Sequence, residues 1–222
     1  CGRFTGISLE IGAGLTAVTP IYEGYVISHG MEYNGLGGGD IINLLSRLLT
    51  ARGWRTMGGA EREIVRKLYE TACYVPRTPT EQSMEYEYVL PDGETMIVSD
   101  ERKAPELLFN PGLLGYEMLP IDQLCYNAVQ ACDTTIRREL WHDVVLCGGV
   151  SQLNGLKERL MDQLGYLLPE SVAQELNIIL PKRRAYLAWH GANVLSGREF
   201  FQKHWITREM FNQNPKIVNT SL

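Results

Sequence analysis

Two glycine turns constrain the fold of this chain more than any other feature of its sequence. Glu10-Ile11-Gly12-Ala13-Gly14 interrupts a stretch of short apolar runs between residues 5 and 26, where Gly12, Gly14 and Pro20 mark the breaks. The pattern predicts strand, tight turn, strand, so a hairpin opens the chain. Cys147-Gly148-Gly149-Val150 follows the compact β-branched run 143–147 and precedes a stretch, 153–164, with Leu156, Leu160 and Leu164 on one helical face. That second pattern predicts strand, glycine turn, helix. Glycine at such turns lets backbone N–H groups approach a phosphate or nucleoside, and a following helix N-terminus adds partial positive charge. Either turn alone reads more readily as a tight connection, and it is the pair, in this order and spacing, that points to a ligand.

The remaining pattern fills in an α/β or α+β architecture with a mixed sheet. Asp40, after the glycine-rich stretch 35–39, is placed to cap a helix with Ile41, Leu44, Leu45, Leu48 and Leu49 on its apolar face and Gly53 as its stop. A second helix over 60–74 sets Glu61, Arg62, Glu63, Arg66 and Lys67 beside Ile64, Val65, Leu68 and Ala72. Pro91-Asp92-Gly93 joins strands 84–90 and 95–98 in a hairpin. Pro105 starts a short helix that Pro111-Gly112 ends, and Pro120 opens a longer one burying Ile121, Leu124, Cys125, Ala128 and Val129. A strand over 177–180, a basic turn Lys182-Arg183-Arg184 and a helix over 186–195 follow.

Composition narrows the function classes. With 222 residues, 45% of them hydrophobic, the chain builds a substantial core. A net charge of -5 with scattered Lys and Arg argues against nucleic acid. Cys1, Cys73, Cys125, Cys132 and Cys147 are odd in number and set mostly among apolar residues, which predicts reduced thiols and a cytosolic or nuclear compartment. No apolar run approaches the length of about 20 residues that a membrane span needs, so no membrane partner is expected. His29, His142, His190 and His204 are dispersed, and no metal site is expected. The opening Cys1-Gly2-Arg3-Phe4-Thr5 lacks an initiator Met and enters a core strand almost at once, so the chain is expected to continue upstream.

The ordered series Thr5-Gly6-Ile7, Pro20-Ile21-Tyr22-Glu23-Gly24-Tyr25, Ala60 to Arg66, Leu90-Pro91-Asp92-Gly93, Asp100-Glu101-Arg102, Pro105-Glu106, Leu114-Gly115, Asp133 to Arg137 and Trp205-Ile206-Thr207 resembles actin and its relatives along nearly the whole chain. The resemblance implies the actin-like ATPase, ribonuclease H-like fold. It implies that residues 1–36 and 113–186 correspond to the family's subdomain 3, residues 37–112 to the small inserted α+β subdomain 4, and residues 187–222 to the carboxy-terminal part of subdomain 1. Compared with a full-length actin the chain begins near the middle, so the first phosphate loop and the glutamine that positions the attacking water are expected upstream of it.

By the same resemblance Glu10, Gly12, Gly14, Arg66, Glu70, Gly148 and Gly149 form a degenerate nucleotide site. Glu10 matches the aspartate near the metal, Ala13 the second acidic position and Ala17 a nearby histidine. Tyr69 and Ala185 replace two lysines of the base pocket, and Gln152 and Leu153 replace a Met-Tyr pair. Glu70 matches the residue that bonds the ribose, and Gly148-Gly149 the turn that passes the nucleoside. Such losses remove the electrostatic positioning that phosphoryl transfer requires. The expectation is therefore no hydrolysis and no resident cofactor, with ATP or ADP and Mg2+ as the ligand the remnant would take. The implied role is a non-catalytic structural or scaffolding subunit of a cytoskeletal assembly, axonemal or sperm structures included, with other assembly proteins covering the face of the absent lobe. The alternative is the ordered part of a longer actin-related ATP-binding protein that polymerises or serves a chromatin-remodelling or motor-adaptor complex. The implied location is cytoplasm and cytoskeleton, with axoneme or nucleus as variants.

Overall fold

The computed structural model describes residues 2–56 and 58–219. The Cys1 thiol and the last three residues of the carboxy-terminal segment lie outside the described residues. The chain divides into two compact units, Cys1–Ala185 and Tyr186–Leu222.

The first unit is built on a six-stranded mixed sheet in the order β3 (Tyr25–Val26), β2 (Thr16–Tyr22), β1 (Gly6–Ile11), β7 (Val144–Cys147), β8 (Ile178–Ile179), with β4 (Glu32–Asn34) also on β2. Strand β1 (Gly6–Ile11) is central because Ile7, Leu9 and Ile11 all point into the core, each at most 1% exposed. It runs antiparallel to β2 (Thr16–Tyr22) through the turn at Gly12. The sequence places a break at Pro20, yet β2 runs through it. The edge strands explain this: β4 (Glu32–Asn34) pairs with Thr16 to Val18 and β3 (Tyr25–Val26) with Ile21 and Tyr22. Pro20 falls in the gap between them, where its missing amide costs no ladder bond and its carbonyl accepts from Ile27 N at 3.0 Å.

Helix α1 (Gly38–Ala51) packs along the i, i+4 row Ile41, Leu45 and Leu49, all fully buried, whereas Leu48 beside that row is 36% exposed. Asp40 lies inside the helix, not at its cap: its Oδ2 accepts from Gly37 N at 3.0 Å, and Gly37 takes the cap position. Helix α2 (Gly59–Ala72) buries Val65, Leu68, Tyr69 and Ala72 and exposes its charged face. It stops two residues short of the predicted end, because Cys73 turns extended. The hairpin β5 (Tyr86–Val89) and β6 (Thr95–Val98) forms at Pro91-Asp92-Gly93 as predicted. Arg102 ties it to the end of α2, donating to the carbonyls of Ala72 and Met84 and lying over the Tyr74 and Tyr86 rings at 5.2 and 5.0 Å.

A 3-10 segment, Asp100–Leu108, already contains Pro105, and Pro111 starts a second 3-10 turn, Pro111–Leu114. Both prolines thus act inside or at the start of tight turns, where the lost donor is tolerated. Helix α3 (Ile121–Gln130) buries the five residues expected of it, and the short α4 (Arg137–Leu140) precedes β7 (Val144–Cys147). Helix α5 (Leu156–Leu167) begins later than its apolar spacing suggests, since Gly149–Gln152 is a 3-10 turn and Gly155 adopts φ +80°. A short α6 (Glu170–Ala173) leads to β8 (Ile178–Ile179), which is parallel to β7 as β7 is to β1. Buried Arg159 of α5 pairs with buried Glu106 at 2.8 Å, donates to the carbonyls of Pro76 and Arg77, and lies over the Phe109 ring at 5.1 Å. Burial pushes the Glu106 carboxyl above its ordinary value, and the Arg159 charge opposes that shift.

The second unit contains α7 (Leu187–Ser196), a 3-10 segment Glu199–His204, α8 (Arg208–Gln213) and a final 3-10 turn. Thr207 caps α8, its hydroxyl accepting from Met210 N at 3.2 Å, and Phe201 meets Trp205 edge-on at 5.6 Å.

Candidate functional site at the two glycine turns

Strands β1 and β7 are parallel neighbours with Glu10 paired to Cys147, so their carboxyl ends coincide and the two glycine turns emerge side by side. This is the position where open α/β sheets present ligand-binding loops. The contact is close: Gly148 has φ +85°, and a Cβ there would lie 2.3 Å from the Ile11 carbonyl oxygen. Only glycine meets both conditions. Gly14 and Gly149, in contrast, border open space, and Glu10 is exposed.

The amino terminus of α1 is part of the same junction. Gly38 N donates to the Gly12 carbonyl at 2.9 Å and Gly39 N to the Ala13 carbonyl at 2.6 Å, so the first turn satisfies amides that a helix start leaves unpaired. Buried Thr16 donates its hydroxyl to Leu36 O at 2.7 Å and holds the approach to the helix. These contributions were missed by sequence reasoning. The signal was the run Gly37-Gly38-Gly39: a Cβ on Gly37 would sit 2.6 Å from Ala13 O and one on Gly38 3.0 Å from a Val150 methyl.

The structure thus brings Glu10, Gly12, Gly14, Gly148 and Gly149 to one end of the sheet. Arg66 and Glu70 lie on the exposed face of α2 and bond each other: Arg66 reaches Glu70 at 2.8 Å and Glu63 through Nε at 2.9 Å. The element reaches the junction instead through Tyr69, whose hydroxyl lies 3.7 Å from where a Cβ on Gly38 would stand. Tyr69 is 9% exposed, and burial, then the neighbouring Cys73 and Glu70, pushes its phenol well above the ordinary value.

Of the residues that the resemblance assigns to an adenine nucleotide with Mg2+, several spend their donors within the protein. The Gly12 amide is committed to Leu15 O at 2.8 Å and the Gly148 amide to Arg184 O at 3.0 Å. The Arg66 guanidinium is held by two carboxylates, and Asp40 accepts from Gly37 N and the Tyr116 hydroxyl. Glu10 is exposed at the end of β1, and among the described residues no three His, Cys, Asp or Glu side chains converge.

The actin family model matches residues 1–58 and 54–220. An actin-like protein of Neurospora crassa is 31% identical over 231 residues, a match that takes in 99% of this chain and 60% of that relative. The chain therefore spans about three fifths of the length of the curated relative it matches. Its mixed sheet with flanking helices is the arrangement of the actin-like ATPase fold, and with the family's pattern running along almost all of its length the chain belongs to the actin family.

Proposed function

We propose that this chain is a non-catalytic structural or scaffolding subunit of a cytoskeletal assembly. One observation carries the reading: the Gly12 and Gly148 amides of the two turns, and the Arg66 guanidinium on α2, bond the protein itself. Phosphoryl transfer depends almost entirely on positioned charge, so a junction with a glutamate at position 10 and an alanine at position 13 lacks its main source of acceleration. Family membership supports a cytoskeletal, cytoplasmic setting with other assembly proteins as partners. Among the described residues no helix is long and apolar enough to cross a membrane. Incubation of the purified chain with Mg-ATP is expected to release no phosphate above the protein-free rate. Sedimentation is expected to show association with itself or a partner. Steady turnover, or a stable monomer that binds no apolar dye, overturns the reading.

A second reading, that these residues belong to a longer actin-related ATP-binding protein of a filament, chromatin-remodelling or motor-adaptor complex, is favoured by the length of the Neurospora relative. The mass of the native polypeptide in tissue, set against the 25.0 kDa of this chain, separates the two.

A further inference from the structure

We propose that the cavity between the end of α1 and the start of α2 is a pocket for an alkylammonium group. The inference is separate from the glycine turns and from the question of hydrolysis.

The cavity measures about 350 Å³, near the lower end of the roughly 300–1,000 Å³ of small-ligand pockets. Among the described residues it is lined by Thr50, Trp54, Arg55, Thr56, Gly58 and Glu61, so the last turn of α1, the connecting loop and the first turn of α2 all contribute. The wall is fixed in place. Trp54 is half-buried against the core, and the Thr50 and Thr56 hydroxyls lie 2.7 Å apart and share the Ser46 carbonyl, at 2.8 and 3.4 Å. Their protons are thus spent within the protein, and what this pair has left to offer a ligand is oxygen lone pairs.

The charges around the cavity decide the sign of the ligand. The carboxyl end of α1 and the amino end of α2 meet here, each worth about half a charge and of opposite sign, so they offset each other. Arg52, which would neutralise the first, is held instead by Glu101 at 3.1 Å. That leaves Glu61 and Arg55, neither of which has an ion pair or hydrogen bond among the described residues. They are not equivalent: Glu61 is half-buried with its carboxylate folded back against Gly58, whereas Arg55 is exposed and extends into water at little cost. A cation with an alkyl stem meets the Glu61 charge, the lone pairs and the face of the Trp54 indole. An anion meets Glu61 as a like charge, and a neutral apolar ligand strips water from it without replacement.

The test is ligand-observed NMR at low ionic strength on the full chain, with choline, cadaverine and Nα-acetyl-lysine N-methylamide as probes and acetate and inorganic phosphate as controls. At least one of the cations is expected to bind and both anions to fail. Glu61→Gln is expected to weaken cation binding about fivefold and Arg55→Gln to strengthen it about twofold, the range of single exposed charge pairs. Both substitutions lie on the surface and keep the side-chain size, and a circular dichroism spectrum equal to that of the wild type verifies the fold. Binding of the blocked lysine alone assigns the pocket to a side chain of a partner, and binding of choline or cadaverine assigns it to a free amine. Preference for the anions, an unchanged affinity in Glu61→Gln, weaker cation binding in Arg55→Gln, or no binding by any probe overturns the proposal.

Discussion

At the scale of single residues, the two glycines of the second turn carry unequal demands although they are neighbours in sequence. Gly148 combines φ +85° with a backbone neighbour that a methyl would meet at 2.3 Å, and that neighbour is the central strand and cannot yield. Gly149 has negative φ and open space around it. Gly148→Ala is therefore expected to destabilise by about 2 kcal/mol or more, while Gly149→Ala stays within about 0.5 kcal/mol of wild type. Urea unfolding of the pair checks this, and equal effects would sink it. The existence of both turns was legible in the sequence. The difference between them was not, because it arises from the parallel pairing of β1 with β7, residues about 137 positions apart in the chain.

At the scale of elements, periodicity located the long helices and the main strands, while the short β3, β4, α4, α6 and α8 gave too little period to be read, and other errors fall where side chains bond across elements. Asp40 illustrates the point. Its position before an apolar helix suggested a cap, but its two oxygens accept from Gly37 N at 3.0 Å and from the Tyr116 hydroxyl at 3.1 Å. Asp40 thus joins the start of α1 to the loop after Gly115, a partner 76 residues away that no local pattern announces. The hydrogen bond to Asp40, then its charge, holds the Tyr116 phenol above the ordinary value. Asp40→Ala is expected to cost about 1–2 kcal/mol and Tyr116→Phe about 1 kcal/mol. Since the second change removes a bond the first has already broken, the double variant should fall short of the sum by about 1 kcal/mol. Additive losses in a double-mutant cycle would show that Tyr116 and Asp40 act independently.

At the scale of the whole molecule, the family resemblance divides residues 1–186 into two subdomains, and the buried side chains form a continuous cluster that includes members of both. The join is made by contacts of long sequence separation. Val75 N donates to Asn154 O at 2.9 Å, and Arg159 binds Glu106 and the carbonyls of Pro76 and Arg77. Such contacts favour unfolding of the unit as one cooperative body. Its four described thiols report on that directly, since all are free and buried, Cys73 at the end of α2 and Cys125, Cys132 and Cys147 around α3 and β7. Burial pushes the Cys73 thiol up to about 12 and raises the other three as well, so the reactive thiolate is scarce at neutral pH until the core opens. Mass-spectrometric labelling along a urea series is expected to expose Cys73 and Cys125 at the same midpoint, together with the fluorescence change of buried Trp141. Labelling of Cys73 at clearly lower urea would mean that the segment 37–112 opens alone and that the contacts made by Arg159 do not bind the two halves into one cooperative unit.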